Sequence, residues 1–400
     1  GKMRDKIFDN FAKSLIFKEK KVLQSSYTPE TILYREEQIK QIGSILAPSL
    51  RMEKPSNLFL YGKTGSGKTL TIRYVEEQLL KRARKINIEV NSIYVNCKLK
   101  KVADTEYRIL AELIRQLGQE VPITGLPTDA LYRTFVDLID SKEQVLIIIF
   151  DEIDQAVNKI GDPFLYNFTR LDSTLQKSQI AVVGISNRLT FIETLDPRVR
   201  SSLSEEEVLF PPYDALQLKD ILVQRAKAAF KAGVLQDGVI EKCSALAAQE
   251  HGDARKALDL LRVSGEIAER EGAIKIEAQH IDKAENKIEK DRVIDTIKTH
   301  PIQYNLTLLS IIENAKESNG KAFYTGDVLE KYEFFCDKAK VKPITQRRIS
   351  DILADFELQG IIAAKIISRG RGGKTREIKL ALPKNLLRKV EQTLFELLRL

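Results

Sequence analysis

Gly62-Lys63-Thr64-Gly65-Ser66-Gly67-Lys68-Thr69 decides the fold of the first part of this chain. The stretch fits the pattern G-x-x-x-x-G-K-[ST] at every defined position. Residues 57–61 before it read as a short buried strand, and residues 70–83 after it read as a helix. In that setting the glycines let the backbone wrap a phosphate, with successive N–H groups and a helix N-terminus aimed at the anion. Lys68 is then placed to reach the outer phosphates, and the Thr69 hydroxyl to hold Mg²⁺. A glycine-rich turn matches such a pattern by chance, but rarely with strand, loop and helix in register. The stretch implies a nucleoside triphosphate site.

The chain has 400 residues, too many for one ordinary core, and its 43% hydrophobic content suffices for two or three packed domains. No apolar run approaches the roughly 20 residues of a membrane span. The opening segment is charged and mixed rather than a secretory signal, and Gly1 in place of methionine points to a trimmed start. Cys97, Cys243 and Cys336 lie far apart, without metal-ligand spacing. Such a sparse, odd set fits a reducing cytoplasm and argues against a zinc site. The net charge of +8 is modest, but the basic excess gathers near the C-terminus.

Taken in order, the chain divides at about residues 212 and 290. Residues 1–25 are basic, with Phe8, Phe11, Leu15 and Ile16 at helix-like spacing. Tyr27-Thr28-Pro29 and Arg35-Glu36 follow, an extended segment that either lines a base-binding slot or merely connects. Strands are expected at residues 92–97, 145–150, 180–185 and 207–210, with helices at 104–117 and 128–140 between the first two. The run at 145–150 is continuously apolar, as in a buried parallel strand. Alternating strands and helices over 1–212 predict an α/β, doubly wound, mainly parallel sheet. Residues 213–290 read as helices only, a small all-α domain. Residues 291–400 read as helices at 306–315, 325–335 and 345–358, then strands at 361–367 and 376–382, then a helix at 384–398. That order makes an α+β winged helix-turn-helix.

Candidate chemistry falls at strand ends. Asp151 ends the apolar strand, where open α/β sheets place ligands, and is placed to hold Mg²⁺ with Thr69. Glu152 is placed to orient and deprotonate an attacking water, although an acid pair there can simply cap the next helix. Asn187 ends a neighbouring strand, in reach of a terminal phosphate or serving as an ordinary turn residue. Arg255, in Gly252-Asp253-Ala254-Arg255, sits in the first turn of a helix, an unfavourable place for a cation unless a phosphate faces it. It is read as a nucleotide sensor, or else as a plain surface arginine.

In the last domain an apolar stripe of Ile349, Ile352, Leu353 and Phe356 leaves Gln346, Arg347 and Arg348 near the start of one helix. An α-helix fits the major groove, and arginine pairs bidentately with guanine. Arg369, Arg371 and Lys374 punctuate a glycine-rich hairpin tip, suited to phosphates or a minor groove. Double-stranded DNA is the expected partner, with Arg348 packed inside the domain, or the hairpin serving protein contacts, as the other readings.

These motifs in this order resemble the AAA+ ATPases of the initiator group, specifically archaeal replication initiators of the origin-recognition-complex and cell-division-control (Orc/Cdc) type. The resemblance runs over nearly the full chain, through the phosphate loop, Asp151-Glu152, Asn187 as first sensor and the Arg255 motif as second. It implies an AAA+ domain, a helical lid and a DNA-binding winged helix, with ATP or ADP and Mg²⁺ as cofactors. Tyr27 and Arg35 would stand on the adenine side. The resemblance also implies origin DNA, the replicative minichromosome-maintenance helicase and initiator paralogues as partners, no membrane, and a place on the cytoplasmic nucleoid. A second DNA contact would come from a helical insertion within residues 98–117. One departure stands out: many relatives carry Arg-Val-x-Ser-Arg, whereas Arg198-Val199-Arg200-Ser201-Ser202 has serine in the last place, so that either Arg198 or Arg200 substitutes or no trans finger exists. Loss of a trans arginine can lower a rate by about 10³–10⁵, so slow hydrolysis is expected. A nucleotide-stabilised transcription regulator and a clamp-loader-like motor are the other readings.

Overall fold

The computed structural model describes Phe8, residues 13–99, Ala103 and residues 105–400. Phe11 and Asp104, which enter the helix readings above, lie outside the described residues. The chain forms two compact units that divide after Ala284.

The first unit is built on five parallel strands, β1 (Leu58–Tyr61), β2 (Val90–Asn96), β3 (Val145–Asp151), β4 (Gln179–Ser186) and β5 (Glu206–Leu209), in the order β2-β3-β4-β1-β5. All seven residues of β3 are buried. Its alternation serves two cores. Leu146, Ile148 and Phe150 pack with one cluster, and Val145, Ile147 and Ile149 with the other. The second cluster is completed by Ile42 of α1 (Glu36–Leu46) and by Ile72 and Val75 of α2 (Lys68–Lys85). On the opposite face lie α3 (Glu106–Gln116), α4 (Thr128–Ile139), α5 (Ile153–Ile160), α6 (Pro163–Leu171) and α7 (Pro197–Leu203). Phe150 meets Phe164 and Phe168 edge-on, with centroids 6.1 and 5.5 Å away. This double coverage explains the uninterrupted apolar run at residues 145–150.

Three helices follow β5: α8 (Ala215–Ala229), α9 (Val239–Gln249) and α10 (Ala254–Arg270). Asp214 and Gln217 form a capping box at the start of α8. The region is not wholly helical, because Leu235 and Ile276 form a parallel bridge. The segment before α1 is fastened to these helices. Phe17 stacks on Phe230 at 5.2 Å, and the Lys18 N–H donates to the Ala229 carbonyl at 2.7 Å. The Arg225 guanidinium, buried in α8, donates to the Val22 carbonyl at 3.0 Å.

The next element is a long helix, α11 (Ala278–Thr299). The second unit continues with α12 (Ile302–Ser318), β6 (Phe323–Tyr324), α13 (Thr325–Ala339), α14 (Gln346–Leu358), β7 (Ile362–Ser368), β8 (Lys374–Leu380) and α15 (Lys384–Leu398). Its sheet has three antiparallel strands, β6-β8-β7. The two-residue β6 is too short to leave a period in the sequence. Ile349, Ile352, Leu353 and Phe356 are buried as one stripe, joined by Leu306, Val328 and Val390.

Candidate nucleotide site and winged-helix surface

The ends of β1, β3 and β4 meet beneath a cavity of about 750 Å³. It is lined by Gly65, Gly67, Lys68 and Thr69 of the loop, by Asp151 and Glu152, by Asn187, and by Arg255 of α10. Gly62, Lys63, Thr64 and Ser66 do not line it; they shape the loop instead. Gly65 and Gly67 take φ of 76° and 89°, which favours glycine. Space also demands it. A Cβ on Gly65 would lie 1.7 Å from Asp253 Oδ1, and one on Gly67 2.7 Å from the Tyr213 hydroxyl. The Asp253 carboxylate caps α10 by accepting from the N–H groups of Arg255 and Lys256. The next residue, Ala254, donates its N–H to the Gly65 carbonyl at 3.0 Å. The helical lid therefore rests directly on the loop.

The Lys68 ammonium is buried and donates to the Gly62 and Lys63 carbonyls at 2.6 and 2.9 Å. Burial first, then the charge of Arg255, pulls its pKa down to about 8. Thr69 Oγ1 donates to Asp151 Oδ2 at 2.6 Å. A hydroxyl and a carboxylate are oxygen donors of the kind Mg²⁺ takes when substrate phosphates complete its shell. The pair fits that ion. Among the described residues no cluster of three or more His, Cys, Asp or Glu is arranged to hold a metal by itself. Glu152 takes a left-handed φ of 53° where the chain turns from β3 into α5. Burial raises its carboxyl above the usual range, with Lys98 pulling the other way. Asn187 is half-buried, and Arg255 is exposed at the cavity wall.

Two expected adenine-side residues are elsewhere. Arg35 is 2% exposed and absent from the cavity wall. Its Nε donates to the Ser66 carbonyl at 2.9 Å, its Nη2 donates to the Pro211 carbonyl, and its guanidinium lies 4.0 Å from the centre of the Tyr213 ring. Through these contacts Arg35 props the loop. Tyr27 also stays off the wall, with its ring 5.2 Å from the Arg225 guanidinium. Thr28, Pro29, Ile32 and Leu33 supply that wall instead.

Tyr94, on β2, was not legible as a site residue. Its hydroxyl donates to Asp151 Oδ2 at 2.5 Å, and burial with Asp151 beside it pushes its pKa up. The signal needed was the pairing of β2 with β3, which no single sequence displays. Asp253 was half visible, as an N-cap residue before a helix. In the departing motif, Arg198 pairs with Asp196 and lies 5.1 Å from the centre of the Tyr166 ring, while Arg200 is exposed. The Ser202 carbonyl accepts from Asn57 Nδ2 at 2.9 Å.

In the second unit Thr345 caps α14 by accepting from the Arg348 N–H. Gln346, Arg347 and Arg348 are exposed, so Arg348 is not packed inside. The β7–β8 hairpin closes at Ser368 and Lys374 around a 3₁₀ turn, Gly370–Gly372. Arg369, Arg371 and Lys374 are exposed there. The Arg369 guanidinium lies 4.5 Å from the centre of the Tyr324 ring, so β6 steadies one wing cation. Arg376 donates to the Ser350 carbonyl at 3.2 Å and ties the wing to α14.

An ORC1-type DNA replication protein from Thermococcus onnurineus is 51% identical over 382 residues, which cover 94% of this chain and 91% of that protein. The chain belongs to the ORC1-type family. A Pyrococcus abyssi protein of the same description is 50% identical over 391 residues, 96% of this chain and 92% of its own. The Aeropyrum pernix ORC1 protein, solved in complex with DNA, superposes with a TM-score of 0.87 at 41% identity, covering 96% of this chain and 98% of that one. Residues 51–189 match the AAA domain, 219–286 the Cdc6 AAA+ ATPase-type lid domain and 295–390 the CDC6 C-terminal winged helix domain. This ORC1-type chain thus carries a P-loop AAA+ ATPase domain with its lid, and a winged helix. No helix among its described residues is long and apolar enough to cross a membrane.

Proposed function

We propose that this chain is a DNA replication initiator that binds double-stranded origin DNA and acts as a slow ATP/ADP switch for recruiting the replicative minichromosome-maintenance helicase. Its working parts are the nucleotide domain of residues 1–212, the lid of 213–290 and the winged helix of 291–400. The observation that carries the reading is the meeting of Gly65, Gly67, Lys68, Thr69, Asp151, Glu152, Asn187 and Arg255 at one cavity, in a chain 51% identical to an ORC1-type replication protein. The Aeropyrum pernix relative solved with DNA supports the same use for the exposed cations of α14 and the wing.

In this reading Lys68 binds the outer phosphates and Asn187 hydrogen-bonds the terminal phosphate or the water. Thr69 and Asp151 hold Mg²⁺, which when bound neutralises charge on the phosphates. Glu152 orients the water and takes its proton, helped by the raised affinity for protons that burial gives it. Arg255 reports the nucleotide to the lid. With Arg198 held by Asp196 and Ser202 in the last place of the motif, no neighbour's nucleotide is served by the usual arginine, and turnover is slow.

Lys68→Ala should abolish nucleotide binding, whereas Glu152→Gln should keep binding and stop turnover; full hydrolysis by the Glu152 variant removes its role. Footprinting of the source genome with ADP and with an ATP analogue tests the output. Protection at origins supports initiation, protection confined to promoters supports a regulator, and assembly of a ring with ATP in sedimentation supports a motor.

A further inference from the structure

Asp151 is 5% exposed, and one of its oxygens is doubly occupied. Oδ2 accepts from Thr69 Oγ1 at 2.6 Å and from the Tyr94 hydroxyl at 2.5 Å, while Oδ1 accepts no hydrogen bond from the described residues. A carboxylate has about four lone-pair directions, so two donors on one oxygen fix its rotation and reserve the other oxygen. Tyr94 is itself held on two sides. The Arg73 guanidinium from α2 lies 4.4 Å from the centre of its ring. Its main-chain carbonyl, on β2, accepts from Gln116 Nε2 at 2.9 Å. Tyr94 also lines the cavity, with Thr69, Asp151 and Asn96.

We infer that Tyr94 is a positioning residue for the metal–nucleotide complex: its hydroxyl holds the Asp151 carboxylate so that Oδ1 is presented to Mg²⁺ or to its water. The inference rests on the ATPase reading above. Tyr94 touches neither phosphate nor metal in this role. It acts through Asp151, as partners behind metal ligands commonly do, and their loss typically costs about 10–100-fold in metal affinity or activity.

The test is Tyr94→Phe in the full chain, which removes the hydroxyl and leaves a ring for Arg73. Binding of a non-hydrolysable ATP analogue is measured by calorimetry in excess EDTA, then across a Mg²⁺ titration. The expected result is unchanged affinity in EDTA and a Mg²⁺ half-saturation raised by about tenfold, with kcat lowered in step. Tyr94→Leu, which also removes the Arg73 stack, should show the same Mg²⁺ defect with a lower thermal midpoint. Identical Mg²⁺ titrations for wild type and Tyr94→Phe overturn the inference. An equal loss of affinity in EDTA and in Mg²⁺ overturns it too, because that pattern belongs to a merely structural residue. If the wild-type chain binds the analogue under neither condition, the ATPase reading itself falls.

Discussion

Raising the pH from about 7 to about 9.5 should weaken ATP binding roughly thirtyfold, through one side chain. Lys68 loses its proton near 8 in the free site rather than at 10.5, because it is buried and shares the cavity with Arg255. Phosphates favour the charged form, so binding lifts that pKa and takes up a proton wherever the free lysine is neutral. At about pH 9.5 only about one site in thirty holds the ammonium beforehand, which sets the size of the loss. Stability of the free chain should move the other way. The folded pKa lies below the unfolded value of 10.5, so the folded chain binds fewer protons between about 8 and 10.5 and gains stability as pH rises through that window. Calorimetry in buffers of different ionisation enthalpy counts the protons, and Lys68→Arg supplies a cation that does not titrate there. Parallel losses of affinity in wild type and Lys68→Arg, or no proton uptake at about pH 9, would refute the reasoning.

Gly65→Ala should weaken nucleotide binding by about 100-fold, since a left-handed alanine costs about 1–2 kcal/mol and displacing Asp253 sacrifices a helix cap of about 1 kcal/mol. Asp253→Ala should rescue part of that loss, and strict additivity in the double-mutant cycle would show that loop and lid are uncoupled. Arg369→Ala with Arg371→Ala should reduce the slope of log affinity for DNA against log salt by about 1.8, at about 0.9 per lost phosphate contact. An unchanged slope removes the wing from the interface. Phe356→Ala, fully buried in the second unit, should destabilise that unit by about 3–5 kcal/mol while nucleotide affinity persists. Calorimetric unfolding alongside an ATP-binding assay checks both halves.

Local chemistry was legible and long-range pairing was not. The strand, loop and helix around Gly62 and the apolar run at residues 145–150 announced themselves, because period, glycine spacing and burial are all local. The acid pair, Asn187 and Arg255 could be named from their places at strand and helix ends. Arg35 entered the adenine side through the resemblance of its segment, and its contacts with carbonyls and the Tyr213 ring, set by long-range packing, leave no local trace in the sequence. Tyr94 stayed hidden because it acts across a strand pair that the sequence does not spell out. β6 was too short for any period to show, although it carries the ring beneath Arg369.

Gly65 occupies one of the positions that the phosphate-loop pattern leaves open to any residue. In this protein the position is not open, because the carboxylate of Asp253, nearly 190 positions along the chain, lies where a side chain would begin. The motif that folds the phosphate site is therefore written partly by the lid. Any change at 65 would have to be answered at 253, so the two positions are expected to vary together among proteins that share this arrangement.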